Sequence, residues 1–173
     1  MDELHEREQY FFDEPTQRHL AQFARGFSHP CCLCAPLVGQ MLAQQNVTAT
    51  VLDYDDRFSP VPGFQCYDLQ RPQALQQNFG LIICDPPFFN VSLTQLFDVI
   101  RLLSHFNYQQ PILLCYLRRR TSSVLRAFNR FNLAPTGYFP RYQTVSSIER
   151  NEIEFFGNLD EQSLQKLRTM NWS

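Results

Sequence analysis

The stretch Leu81-Ile82-Ile83-Cys84-Asp85-Pro86-Pro87-Phe88 constrains this chain more than any other. Three apolar residues and a cysteine run into an acid, two prolines and an aromatic ring. The first half predicts a buried strand. The second half cannot continue it, because proline lacks a backbone N–H and fixes φ. A central strand must stop near Asp85. That leaves a carboxylate, a rigid turn and a ring together at the C-terminal end of a strand. In open α/β sheets, ligands bind at that edge.

The flanking sequence supplies the sheet. Leu20, Phe23, Ala24 and Phe27 recur at helical spacing and predict a helix over residues 16–27, capped by Asp13 or Thr16, with Pro15 near its first turn. Cys31–Ala35, Thr48–Leu52, Phe64–Tyr67 and Pro111–Tyr116 predict further strands. Helices are predicted over Leu37–Gln45, Ser92–His105 and from Leu117–Arg120 through Phe131, with a helical or turn segment over 71–79. Tyr138–Val145 and Ile148–Phe156 alternate around Ser146-Ser147 like a terminal hairpin, and Asp160–Met170 predicts a short helix. Strands alternating with helices mean right-handed βαβ units and a mostly parallel sheet, with its strand ends on one edge. The expected layout is an acidic N-terminal segment with an aromatic lid (1–14), one α/β domain (15–159) and a C-terminal helix or tail (160–173).

Composition narrows the class. A chain of 173 residues, 44% hydrophobic, suits one domain with a sizeable core. No apolar run approaches the ~20 residues that cross a bilayer. The N-terminus is acidic and lacks a signal peptide's apolar core, so a cytoplasmic location is expected. The cysteines Cys31, Cys32, Cys34, Cys66, Cys84 and Cys115 match no zinc spacing and read as reduced, mostly buried residues. The four histidines share no ligand spacing, so no metal site is expected.

Charge is uneven. Residues 1–98 carry 5 basic and 12 acidic side chains, whereas residues 99–150 carry 8 arginines and one acid, Glu149. Such a basic segment is either an anion-binding face or a solvated face paired with the acidic half.

The strand ends carry the chemistry. Asp53 ends the second strand, where an acid can accept both hydroxyls of a ribose. Asp68 follows the third, where an acid can accept an adenine amine, although a turn role is equally open to it. Asp55 and Asp56 read as surface. The turn after the first strand, Cys34-Ala35-Pro36-Leu37-Val38-Gly39, has neither G-x-G-x-x-G nor a Walker lysine, so it does not predict a phosphate site. A nucleoside without phosphates fits better, and S-adenosylmethionine is the prominent candidate. The Asp85 carboxylate and the Pro86 carbonyl are two acceptors able to orient a planar amine, on which Phe88 can stack. A base inside a duplex cannot reach such a pocket, so the target must be flipped or single-stranded.

Asp85–Phe88 resembles the (Asp/Asn/Ser)-Pro-Pro-(aromatic) motif of Rossmann-like amino-group methyltransferases. Together with Gln9-Tyr10-Phe11-Phe12, Cys32-Leu33-Cys34-Ala35-Pro36 and Leu52–Phe58, in this order, it resembles the probable N6-adenine methyltransferase family over roughly residues 9–157. That family includes a zinc-finger ribosomal RNA adenine methyltransferase and an elongation-factor lysine methyltransferase. The resemblance implies a class I methyltransferase fold with a seven-stranded sheet and an antiparallel terminal strand. It implies S-adenosylmethionine held by Cys34, Ala35, Pro36, Asp53, Tyr54 and Asp68. It implies catalysis at Asp85, Pro86, Pro87 and Phe88, with Tyr10, Phe11 and Phe12 helping to close the pocket; Tyr116, at the end of the fifth strand, is a further candidate substrate contact. The arginines Arg118, Arg119 and Arg120 are added as candidate phosphate contacts or, alternatively, a solvated helix face. The expected partner is nucleic acid, RNA before DNA, with a protein lysine as the alternative. A non-catalytic binding module is the third possibility, because the glycines usual after the first strand are absent. The resemblance does not extend to the added zinc-binding and RNA-binding domains of the ribosomal RNA member.

Overall fold

The prolines end their strand where the sequence predicts. In the computed structural model, which describes residues 1–144 and 152–169, β4 covers Leu81–Cys84 and Asp85 lies just beyond it. Before it come β1 (Pro30–Leu33), β2 (Thr50–Asp53) and β3 (Phe64–Cys66). After it come β5 (Ile112–Leu117), β6 (Ala134–Pro135) and β7 (Ile153–Gly157). The sheet has seven strands in the order β3-β2-β1-β4-β5-β7-β6. The first five are parallel, and β7 runs antiparallel to both β5 and β6. This is a Rossmann-like α/β sheet with an inserted antiparallel strand.

Alternation of side chains through the sheet builds two cores, because successive residues of a strand face opposite ways. Cys31, Leu33, Ile82 and Cys84 face one side, where α3 (Leu93–Leu103) and α4 (Thr121–Ala127) supply Leu96, Val99, Ile100 and Val124. Cys32, Leu81, Ile83 and Leu113 face the other, against Leu20 of α1 (Glu14–Ala24), Val38 and Leu42 of α2 (Pro36–Gln44) and Leu167 of α5 (Glu161–Thr169). Burial on both faces explains why β4 and β5 are continuous apolar runs. Each fully buried Leu or Ile contributes about 1.5–3 kcal/mol.

The helix boundaries follow local chemistry. The Asp13 carboxylate accepts from Thr16 N–H and caps α1, with Pro15 in the first turn. Ser92 does the same for Gln95 at α3. Gly39 lets α2 lie close on the sheet, since a Cβ there would sit 2.3 Å from Val51 Cγ2. Among the described residues, no helix is long and apolar enough to cross a membrane.

Several expectations change. Residues 71–79 are irregular and hold no helix. The helix after β5 is α4 alone, entered through a 3-10 turn at Arg118–Arg120 and left through another at Asn129–Phe131. The strand paired with β7 at the edge is Ala134–Pro135; of the expected segment, Tyr138 touches β7, its carbonyl accepting Phe155 N–H at 3.0 Å. Tyr142 instead bridges to Phe12, so the N-terminal segment takes up that length of chain. The expected turn at Ser146-Ser147, the strand start at Ile148 and Met170 lie outside the described residues.

Candidate active site

Backbone bonds carry the strand ends into one floor. Asp85 N–H donates to Leu33 carbonyl (3.1 Å), Cys34 N–H to Leu52 carbonyl (2.8 Å) and Tyr67 N–H to Asp53 carbonyl (2.9 Å). Cys34 turns the chain after β1 with φ +58°, the conformation that glycine usually takes there. The edge opens into a cavity of about 850 Å3. That is within the usual ~300–1,000 Å3 of small-molecule sites.

Asp85, Pro86, Pro87 and Phe88 all line this cavity. The Asp85 carboxylate accepts the Tyr142 hydroxyl at 3.0 Å, and Cys115 Sγ lies 3.1 Å from that hydroxyl. Burial pushes Asp85 up to about 8; bonds from Tyr142 and Cys115 pull it down, and Asp53 nearby pushes it further up. The Phe88 ring leans on Tyr116 at 5.3 Å between centroids. The Tyr116 hydroxyl donates to the Phe88 carbonyl (3.2 Å), and Arg120 donates to the Tyr116 hydroxyl (3.3 Å). Tyr116 and Arg120 thus brace the motif from behind.

Cys34, Pro36, Asp53, Tyr54 and Asp68 also line the cavity, while Ala35 is buried in the core beside α1 and α2. Asp53 accepts Asp55 N–H at 2.8 Å; burial pushes it up to about 6 against that bond. Asp68 is half-buried, and its Oδ1 accepts Gln70 N–H in a local turn (2.9 Å). Asp55 corrects the sequence reading, being buried rather than on the surface. Its partners are Arg57, at 2.7 Å, and Gln9, at 2.9 Å. The Arg57 guanidinium holds it down at about 2.

Residues 5–11 form the outer wall. Tyr10 stacks on His5 at 4.7 Å and is exposed; Phe11 packs edge-on against Phe58. Phe12 lies in the core against Tyr142 and Phe155. Arg119 lines the cavity and pairs with Glu152 at 3.4 Å. Arg118 pairs with Glu154 at 3.5 Å and covers the Phe139 ring. The sequence reading missed Tyr142, Cys115, Glu8 and Phe89. Only Phe89, an aromatic residue beside the motif, gave any local signal.

The sequence model of the family described as probable N6-adenine methyltransferase matches residues 3–161. The chain belongs to that family. It is a methyltransferase, and its methyl donor is S-adenosylmethionine. The fold is similar to a TehB-like SAM-dependent methyltransferase from Corynebacterium glutamicum, at 15% identity and a TM-score of 0.57, over 84% of this chain and 88% of that one. It is also similar to a ribosomal protein L11 methylase from Lactobacillus delbrueckii subsp. bulgaricus, at 12% identity and a TM-score of 0.51, over 83% and 77%. No curated protein matches the chain. The cavity suits the family's donor. Beside Asp53 the lining includes the uncharged Cys34, Pro36, Tyr54 and Tyr67, with the acids Asp55 and Asp68 on the same side.

Proposed function

We propose that this methyltransferase modifies the N6 amine of adenine in RNA, presented single-stranded or flipped. The observation that carries the reading is that Asp85–Phe88 and the Asp53 and Asp68 carboxylates line one cavity. Exposed Tyr10, Tyr54 and Phe89 stand on the same lining, and exposed rings are stacking platforms for unpaired bases.

Asp53 would accept the ribose hydroxyls of the cofactor and Asp68 its adenine amine, with the Cys34-Ala35-Pro36 turn and Tyr54 closing around them. When bound, the cofactor supplies an electrophilic methyl group. The Asp85 carboxylate takes one N–H of the target amine and the Pro86 carbonyl takes the other, which aims the nitrogen lone pair. Pro86 and Pro87 keep that carbonyl fixed, and Phe88 offers its ring to the base. Because Asp85 sits near 8, the rate rises as pH approaches that value and the carboxylate ionises. Tyr10, Phe11 and Arg119 hold the substrate at the mouth, and Arg118 with Arg120 extends the basic side.

One observation favours a second target, a protein lysine. Glu6, Glu8, Asp55 and Asp68 line the cavity against Arg7 and Arg119, so its acids outnumber its cations. An ammonium group would be drawn to that rim.

Transfer from labelled S-adenosylmethionine to separated RNA, DNA and protein fractions tests the reading. Nuclease-sensitive label in RNA that is lost with Asp85→Ala supports it. Protease-sensitive label supports lysine. Full transfer by Asp85→Ala would overturn the role of the motif.

A further inference from the structure

Tyr142 lies outside the motif, 57 positions from Asp85, yet it holds that carboxylate. It is buried, at 5% exposure. Its ring leans on Phe12 at 5.1 Å, and its segment is zipped to the N-terminal one. Asp13 N–H donates to Arg141 carbonyl at 2.8 Å and Gln143 N–H to Phe11 carbonyl at 2.9 Å, on either side of the Phe12–Tyr142 bridge. Tyr142 O–H donates to Asp85 Oδ1, and Cys115 Sγ, on β5, lies 3.1 Å from the same hydroxyl.

A carboxyl at a strand end has a broad χ2 torsion and swings unless something holds it. Orientation of the target amine needs a fixed acceptor. We infer that Tyr142 is the positioning residue of this site, its hydroxyl fixing the plane of the Asp85 carboxyl toward the target amine. This rests on the reading that Asp85 accepts the amine. It also makes the closing of the N-terminal segment part of the site's alignment, because Phe12 seats the Tyr142 ring.

The groups facing Asp85 are Cys34 after β1, Asp53 ending β2, Cys84 on its own strand, Cys115 on β5 and Tyr142. Among the described residues, none of the groups acting on Asp85 is a cation. Tyr142 is therefore a principal donor to the ionised form.

Tyr142→Phe keeps the ring and removes the donor. Carboxyl carbon NMR of the full-length protein, with Asp85 assigned by its loss in Asp85→Asn, reads the effect without any substrate. The Asp85 titration moves upward in Tyr142→Phe, and it moves the same way by less in Phe12→Leu, which loosens the ring. On whichever fraction accepts label, kcat at pH 7.5 falls roughly tenfold while KM for S-adenosylmethionine holds. Raising the pH recovers most of that loss. An unmoved titration overturns the inference, as does a lowered kcat with an unmoved pH limb, since damaged packing alone gives that. Full activity of Asp85→Asn would instead overturn the underlying role of Asp85.

Discussion

The Glu8 carboxylate accepts the backbone N–H of Phe89 at 3.0 Å, joining residues 81 positions apart. One end belongs to the N-terminal wall of the cavity and the other to the loop that leaves the proline motif. The bond latches wall to motif. Glu8→Ala should raise KM for the methyl acceptor and leave kcat within about twofold. The bond is near the surface, so stability should change by no more than about 0.5 kcal/mol. Steady-state kinetics and hydrogen exchange over residues 5–11 check this; unchanged exchange and KM would show that the latch has no role.

Asp53 ends β2 as a half-buried acid pushed up to about 6. Cofactor binding by its ionised form should strengthen as pH rises from 5 through 6 and then level off. Asp53→Ala should weaken binding at least tenfold and flatten that dependence, because two hydrogen bonds to a charged acceptor are lost. Calorimetry from pH 5 to 8 measures both effects.

Asp85 also lowers the stability of the free protein. Its ordinary carboxyl value is 3.8 and its folded value about 8. Between those values the folded state keeps a proton that the unfolded state has released, so this group's contribution to stability falls as pH rises. Above about pH 8 the full penalty is present. Asp85→Asn still accepts the Tyr142 hydroxyl and carries no charge. The variant should melt higher than the parent by roughly 10 °C at pH 8.5, with the gap closing toward pH 4, while methyl transfer is lost. Melting curves across that range decide it, and an equal melting temperature at pH 8.5 counts against a buried carboxylate.

Gly39 and Val51 touch where α2 lies on β2. A Cβ at Gly39 would meet Val51 Cγ2 at 2.3 Å, and a β-branched side chain has little freedom to turn away. Gly39→Ala should cost about 1–3 kcal/mol in denaturant unfolding. Adding Val51→Ala should restore part of the loss, giving a non-additive double-mutant cycle. Additive effects would place the strain elsewhere.

The fold was legible where a local pattern forces a local answer. The stripe Leu20, Phe23 and Ala24 is buried in α1. The apolar runs at Cys31, Val51, Ile82 and Leu113 became parallel strands because only a sheet covered on both faces buries them. The terminal hairpin differs in its pairing for a related reason. Alternation over Tyr138–Val145 marks a strand-like segment and is silent about its partner. In the structure Tyr142 pairs with Phe12, and Ala134–Pro135 takes the edge beside β7.

Asp55 shows the same limit at the site. Asp55 and Asp56, adjacent acids after the strand, read as exposed. Arg57 and Gln9 surround one of them, and a buried carboxylate persists when it is paired.

The sequence by itself determined which apolar runs become strands and placed their ends to within one or two residues. Proline cannot continue a ladder, and an acid at a strand end marks the ligand edge of a parallel sheet. Asp85 precedes the two prolines, and Asp53 and Asp68 stand at or just after the ends of neighbouring strands. Only the tertiary structure decided what holds them. Tyr142 reaches Asp85 from 57 residues away, and Glu8 reaches Phe89 from 81. Such bonds depend on how the chain packs in three dimensions, and no periodicity along the chain encodes them.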